Sequence, residues 1–158
     1  ETEQKKTSIK VLTKETVPAN AQEAAILGIN DGDTVLKIQR MYYHNEEPVI
    51  LARSLLPEFS FAQLTEADML WPTRYLNNIQ GAARFDHADH YLEISYAEKA
   101  VAQLLKIANG SPLIKVTTYS FNKENTPIAA DTTFMRADRI RLRGTIFRQS
   151  GQNHISAL

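Results

Sequence analysis

Cysteine is missing from all 158 residues, which excludes disulfides, thiolate metal sites and a cysteine nucleophile. The absence suits a reducing cytoplasm. Neither sign of charge is in excess: 18 Lys and Arg face 18 Asp and Glu. That removes the bulk electrostatic case for nucleic-acid binding by this chain alone. No apolar run approaches the ~20 residues a membrane-spanning helix needs. Glycine is sparse, and the six present are scattered, so no phosphate-cradling loop and no G-x-S-x-G elbow can be drawn. No secretory leader is visible, and the chain opens Glu1-Thr2-Glu3 without Met. We therefore expect an excerpt or a processed product.

Histidine is scarce too. Of four, only His87 and His90 lie close together. On a strand, residues three apart point to opposite faces, so this pair makes a poor chelate. Asp86 and Asp89 flank it, but spacing places no further ligand. We expect no metal and no cofactor.

What is present is an ordinary globular composition, 43% hydrophobic and 23% charged, over a length suited to one domain, residues 1–158. A weak internal repeat organises it. "AAILGINDGDTVLKIQRMYYHNEEPVILARSLLP" aligns with "AQLLKIANGSPLIKVTTYSFNKENTPIAADTTFM", bringing Leu27, Ile29, Gly32 and Leu36 onto Leu105, Ile107, Gly110 and Ile114. Each stretch reads helix, Gly-containing turn, strand, polar turn, strand. Asn20 with Glu23, and Ser95 with Glu98, have capping-box spacing at the two helix starts. "HNEEP" and "NKENTP" are hairpin-length, so the strands they join should pair antiparallel. Between the repeats, "SFAQLTEADML" reads as short helix and turn, "WPTRYLNNI" as a helix opened by Pro72, and "RFDHADHYLEIS" as a long strand. "TSIKVLTKETV" and "RIRLRGTIFR" are expected strands at the two ends. The resulting class is α+β: a mainly antiparallel sheet of about six strands, two-fold repeated, with helices on one face.

Within this frame Arg40 stands out. Strand alternation puts it on the same face as Leu36, Ile38 and Tyr42. A guanidinium among aliphatic side chains needs a hydrogen-bonding or anionic partner, or a position at a rim beside Glu46 or Glu47.

The order "LGI..GD.V..I.R", "EPV....S.LP", "L.I..GSPL" and "P......F.RADR", running from about Ser8 to Leu142, resembles the UTRA effector-binding domain of HutC-type GntR bacterial transcription regulators. The resemblance implies a chorismate-lyase-like fold, a small-molecule pocket, homodimerisation and a cytoplasmic location. It also implies a winged helix-turn-helix DNA-binding domain outside this chain, so that operator DNA is met through that domain. Carrying over the residues that hold phosphate in sugar-phosphate-responsive members puts ligand contacts on Arg40, Tyr42, Thr73 and Tyr75. Ser54, near the return strand's alanine, joins them, as does His87, at a strand position often basic in relatives. A histidine satisfied by a local partner is the other reading of His87. Thr118, Ser120 and Asp131 could line a pocket or simply be sheet polarity. Where those members place one carboxylate in each return strand, this chain has Ala52 and Ala129. The resemblance therefore implies a small phosphorylated or carboxylate effector with a less polar body than a hexosamine phosphate. It implies no enzyme; a chorismate-lyase-like enzyme acting on a small carboxylic acid is the alternative.

Overall fold

The structure is a computed structural model that describes residues 6–70 and 72–143, with the side chains of 72–74 outside that description. Its frame is one six-stranded antiparallel sheet in the order β1-β2-β3-β6-β5-β4. The strands are β1 (Thr7–Pro18), β2 (Thr34–His44), β3 (Glu47–Pro57), β4 (His87–Tyr96), β5 (Pro112–Phe121) and β6 (Pro127–Arg136). Helix α1 (Ala21–Leu27) precedes β2, and α4 (Lys99–Leu105) precedes β5. A crossover from β3 to β4 carries α2 (Glu58–Phe61), a 3-10 turn at Asp68–Leu70, α3 (Pro72–Asn78) and a second 3-10 turn at Gly81–Ala83. The order strand, helix, strand, strand thus occurs on each side of the crossover.

Local chemistry accounts for the connections. Asn45 and Glu46, at φ 46° and 66°, form a two-residue turn of the left-handed kind that matches strand twist. In the second hairpin Asn122 Oδ1 accepts from the N–H of Glu124 (3.1 Å) and of Thr126 (2.8 Å), closing the longer loop. Helix α1 has the expected capping box: Asn20 Oδ1 accepts from Glu23 N (2.8 Å) and Glu23 Oε2 from Asn20 N (3.1 Å). The second capping box does not form. Ser95 is still in β4, opposite Leu113, and α4 starts after Glu98 with no side-chain cap. The strand ladder holds Ser95 too early to reach the helix.

Two other expectations are corrected. Helices cover both faces of the central strands, not one. Leu36, Ile38 and Leu56 pack under Met69, Tyr75 and Ile79 of the crossover. On the opposite face Val35 packs with α1, and Met41 and Leu51 with α4. Both parities of β2 contribute buried residues: Leu36, Ile38 and Arg40 on one face, Val35 and Met41 on the other. The strand expected over residues 139–148 is absent through Arg143; the rest lies outside the described residues. Backbone bonds from Arg139 N and Ile140 N to Arg136 O turn the chain out of the sheet. Arg136 and Arg139 are then held by Glu47 and Asp138.

Candidate functional site

Arg40 sits mid-β2, opposite Ala52 of β3, and is fully buried. The small alanine leaves the guanidinium room to lie across β3. Its Nη1 donates to Ser54 Oγ at 2.7 Å, and its Nε to the Met69 carbonyl of the crossover at 2.5 Å. Among the described residues, Nη2 has no hydrogen-bond partner. A buried donor group left unmet costs roughly 1–3 kcal/mol, more when charged. Folding tolerates this one only because packing elsewhere offsets it.

Ser54 passes the network on. It is opposite Asp131 of β6, and its hydroxyl donates to Asp131 Oδ1. Tyr75, from the middle of α3 and wholly buried, donates its hydroxyl to Asp131 Oδ2. Its ring centre lies 5.9 Å from Arg40 Cζ, within cation–π range. The network therefore runs Arg40, Ser54, Asp131, Tyr75, from three strands and one helix.

The electrostatics follow from burial. Desolvation raises the Asp131 carboxyl above its usual range, although Ser54, Tyr75 and Arg40 all pull it down. Tyr75 is pushed well above an ordinary phenol by burial and by the carboxylate beside it. Burial lowers Arg40, while Tyr75, Asp131 and Tyr42 favour its charged form. Tyr42, half-buried on the same face, is pushed up to about 12, chiefly by burial. The cluster holds a guanidinium N–H unmet among the described residues and a carboxyl group whose oxygens retain lone pairs.

Of the residues singled out from sequence, the structure brings Arg40, Tyr42, Ser54 and Tyr75 together. Thr73 falls in α3, and its side chain lies outside the described residues. His87 is elsewhere. At the start of edge strand β4 it stacks on Phe121 (5.2 Å between centroids) with Nδ1 2.9 Å from Asp86 Oδ2. Alternation along β4 turns it away from the Arg40 face. His90, on that face, is hydrogen-bonded to Thr118 (2.9 Å). Arg40 is not a rim arginine paired with Glu46 or Glu47, because its position on β2 lies under the crossover. Nor is the site without a carboxylate: Asp131, two residues past Ala129 on the same face, supplies one. Asp131 was only one of several polar residues on alternating strands, and nothing local could rank it. The backbone carbonyl of Met69 carries no sequence mark at all. Among the described residues no cluster of His, Asp or Glu is arranged to hold a metal ion.

The family model described as UTRA domain matches residues 2–141. An uncharacterized HTH-type transcriptional regulator of Rhizobium meliloti is 25% identical over 133 residues, covering 80% of this chain and 52% of the relative. A probable fructoselysine utilization operon transcriptional repressor of Shigella flexneri is 27% identical over 139 residues, covering 87% and 57%. The chain thus spans about half the length of the curated relatives it matches. Among solved structures, the C-terminal domain of the histidine utilization repressor of Pseudomonas syringae shares the fold at TM-score 0.81 and 20% identity, covering 90% of this chain and 100% of that one. A GntR-family transcriptional regulator of Enterococcus faecalis does so at TM-score 0.76 and 15% identity, covering 88% and 100%.

Proposed function

Because the chain belongs to the UTRA domain family, we propose that it senses a small metabolite at the Arg40 cluster on behalf of a GntR-family transcription regulator. Operator DNA is bound by a separate winged helix-turn-helix domain, in the cytoplasm, and effector binding changes that domain's hold on DNA. Such a change requires the effector to prefer one of two conformations. The observation that carries the reading is Arg40 Nη2: a fully buried cationic donor without a partner among the described residues, in a network that also holds the Asp131 carboxyl group.

The two groups define the ligand class. Arg40 Nη2 meets an anionic oxygen of a carboxylate or phosphate, and Asp131 accepts from an amine or hydroxyl on the same molecule. A compact amino acid derivative satisfies both. Two of the similar proteins are named for the utilization of fructoselysine and of histidine, each carrying a carboxylate and an amine.

The chain works as a sensor rather than a catalyst. Both oxygens of Asp131 already take hydrogen bonds, from Ser54 and Tyr75. A lyase acting on a small carboxylic acid needs a group free to move a proton, and the curated relatives are named as regulators.

The sensor is a homodimer in this reading. Of the sheet's two edges, β1 carries a bulge between Val11 and Thr13 and several charges. Edge strand β4 runs unbulged and exposes Tyr91, Leu92, Ile94 and Tyr96. Unprotected edges of this kind pair with another strand, and a second copy offers the same one.

Calorimetry tests the site, with a panel of amino acid derivatives, phosphorylated acids and plain carboxylates. The expected result is one class that binds wild type and loses about tenfold or more in affinity with Arg40→Lys and with Asp131→Asn. Unchanged affinity in both variants, each shown to be folded, removes the cluster from the site.

A further inference from the structure

The opposite face of the sheet holds a second arrangement of polar groups that the sensing site does not use. One transverse row of paired residues crosses all six strands: Thr13, Gln39, Arg53, Thr132, Thr117 and Tyr91. Toward each helix the central strands of this face carry apolar residues. Val35, Leu55 and Ala130 lie under α1, while Met41, Leu51 and Phe134 lie under α4. Thr13, Gln39, Arg53, Thr132 and Thr117 of this row form the floor of a cavity of about 320 Å³ walled by Ile26 of α1 and by Tyr119.

Arg53 is aimed, not loose. Its Nε donates to Gln39 Oε1 at 3.1 Å, and its Cζ lies 5.5 Å from the centre of the Phe134 ring. Together these hold the guanidinium plane and leave both Nη groups without a protein partner among the described residues. The hydroxyls of Thr132 and Thr117 beside it are likewise unengaged. Lys37, at the rim, is taken up by Glu23 at 2.6 Å. Glu15 is the other carboxylate of the lining, on β1 at the far wall. Fixed donors thus gather at the centre of the floor, which is what an oxyanion requires. The volume lies at the lower end of the range for small-molecule sites.

We propose that this groove is a second ligand site, taking the carboxylate or phosphate of a small metabolite on Arg53, with Thr132 and Thr117 as hydroxyl donors. It stands back to back with the sensing site. Gln39 precedes Arg40, Arg53 precedes Ser54, and Thr132 follows Asp131, each pair side by side on one strand and facing opposite ways. Movement of β2, β3 or β6 at one site is therefore movement at the other. Occupancy of the groove changes affinity at the Arg40 cluster, and by linkage the reverse holds. Only this coupling rests on the proposed function; binding in the groove does not.

The test is an amide-resolved NMR titration of the 158-residue chain with two probes, benzoate and inorganic phosphate. Saturable shifts are expected at Gln39, Arg53, Thr117 and Thr132, and whichever probe saturates identifies carboxylate or phosphate as the preferred group. Arg53→Ala and Thr132→Val, both at partly or fully exposed positions, should keep the dispersed spectrum. They should weaken binding by about tenfold and several-fold respectively. Saturation by neither probe overturns the site, as do shifts that survive Arg53→Ala. Shifts lost in Arg40→Lys but kept in Arg53→Ala place binding at the sensing cluster and overturn the groove alone.

Discussion

Arg40 and Asp131, on strands separated by β3, are joined through one hydroxyl: Ser54 Oγ accepts from Arg40 Nη1 at 2.7 Å and donates to Asp131 Oδ1. The geometry gives the serine a job neither charge can do for itself. Its single proton orients the pair, so that the guanidinium keeps Nη2 for another acceptor.

Removing that hydroxyl tests its weight. Ser54→Ala leaves a buried donor and a buried acceptor each short of one partner, at a cost of roughly 1–3 kcal/mol. Urea unfolding should show a lower midpoint with an unchanged m-value. A loss below about 0.5 kcal/mol would mean the two charges are otherwise satisfied.

Acidity gives a second test, with a defined sign. Burial holds the Asp131 carboxyl above its ordinary value, so the folded chain binds that proton more tightly than the unfolded chain. Its contribution to stability is fully present below the ordinary carboxylate range and is lost as pH rises through the elevated value. Asp131→Asn removes the titration. Stability of wild type relative to this variant should therefore increase as pH falls from about 7 to about 4. A flat or opposite dependence contradicts the raised value.

At the sheet's other end, Arg136 is nearly buried. It grips Asp138 through Nε (3.1 Å) and Nη2 (2.8 Å), and Glu47 through Nη1 (2.8 Å). This ties the end of β6 to the start of β3. Lysine offers one point charge where three donors are used, so Arg136→Lys should destabilise by about 1–3 kcal/mol, read by chemical denaturation. A neutral result would mean the fork is ornamental.

Helix α1 ends on Gly28 at φ 64°, whereas α4 ends on Lys106 at φ 54°. The left-handed conformation is costly for a residue with a Cβ. Lys106→Gly should stabilise by about 0.5–1 kcal/mol, raising the thermal midpoint by a few degrees. A drop would show that the lysine stem packs usefully against its surroundings.

Self-association through β4 is open to a single charge. Ile94 is 72% exposed on this edge, so Ile94→Lys should leave monomer stability alone. It should shift sedimentation velocity from dimer to monomer at micromolar concentration. Equal dimerisation by the variant, or a monomeric wild type, removes this edge from the interface.

Much of the fold was legible because its determinants are local. The turn at Asn45-Glu46, the cap at Asn20 and the alternation along β2 are each set by a few neighbouring residues. Expectations failed where a local pattern met a stronger non-local one. Ser95 had the spacing of a cap but was claimed by the β4–β5 ladder. Residues 139–143 alternated like a strand, yet Arg136 and Arg139 were held by Glu47, far back in sequence. His87 was a reasonable candidate by position and was turned to the other face by register.

The sequence alone determined that Arg40 shares a face with Leu36 and Ile38, since the period of a strand is a property of the backbone. It determined too that this face must answer a guanidinium. Tertiary structure decided what answers it. Asp131 stands opposite Ser54 only because β6 pairs with β3, and Tyr75 and the Met69 carbonyl arrive only because the crossover folds over β2. These contacts join residues 29 to 77 positions apart. No short pattern specifies such contacts; they follow from burying both faces of β2 at once.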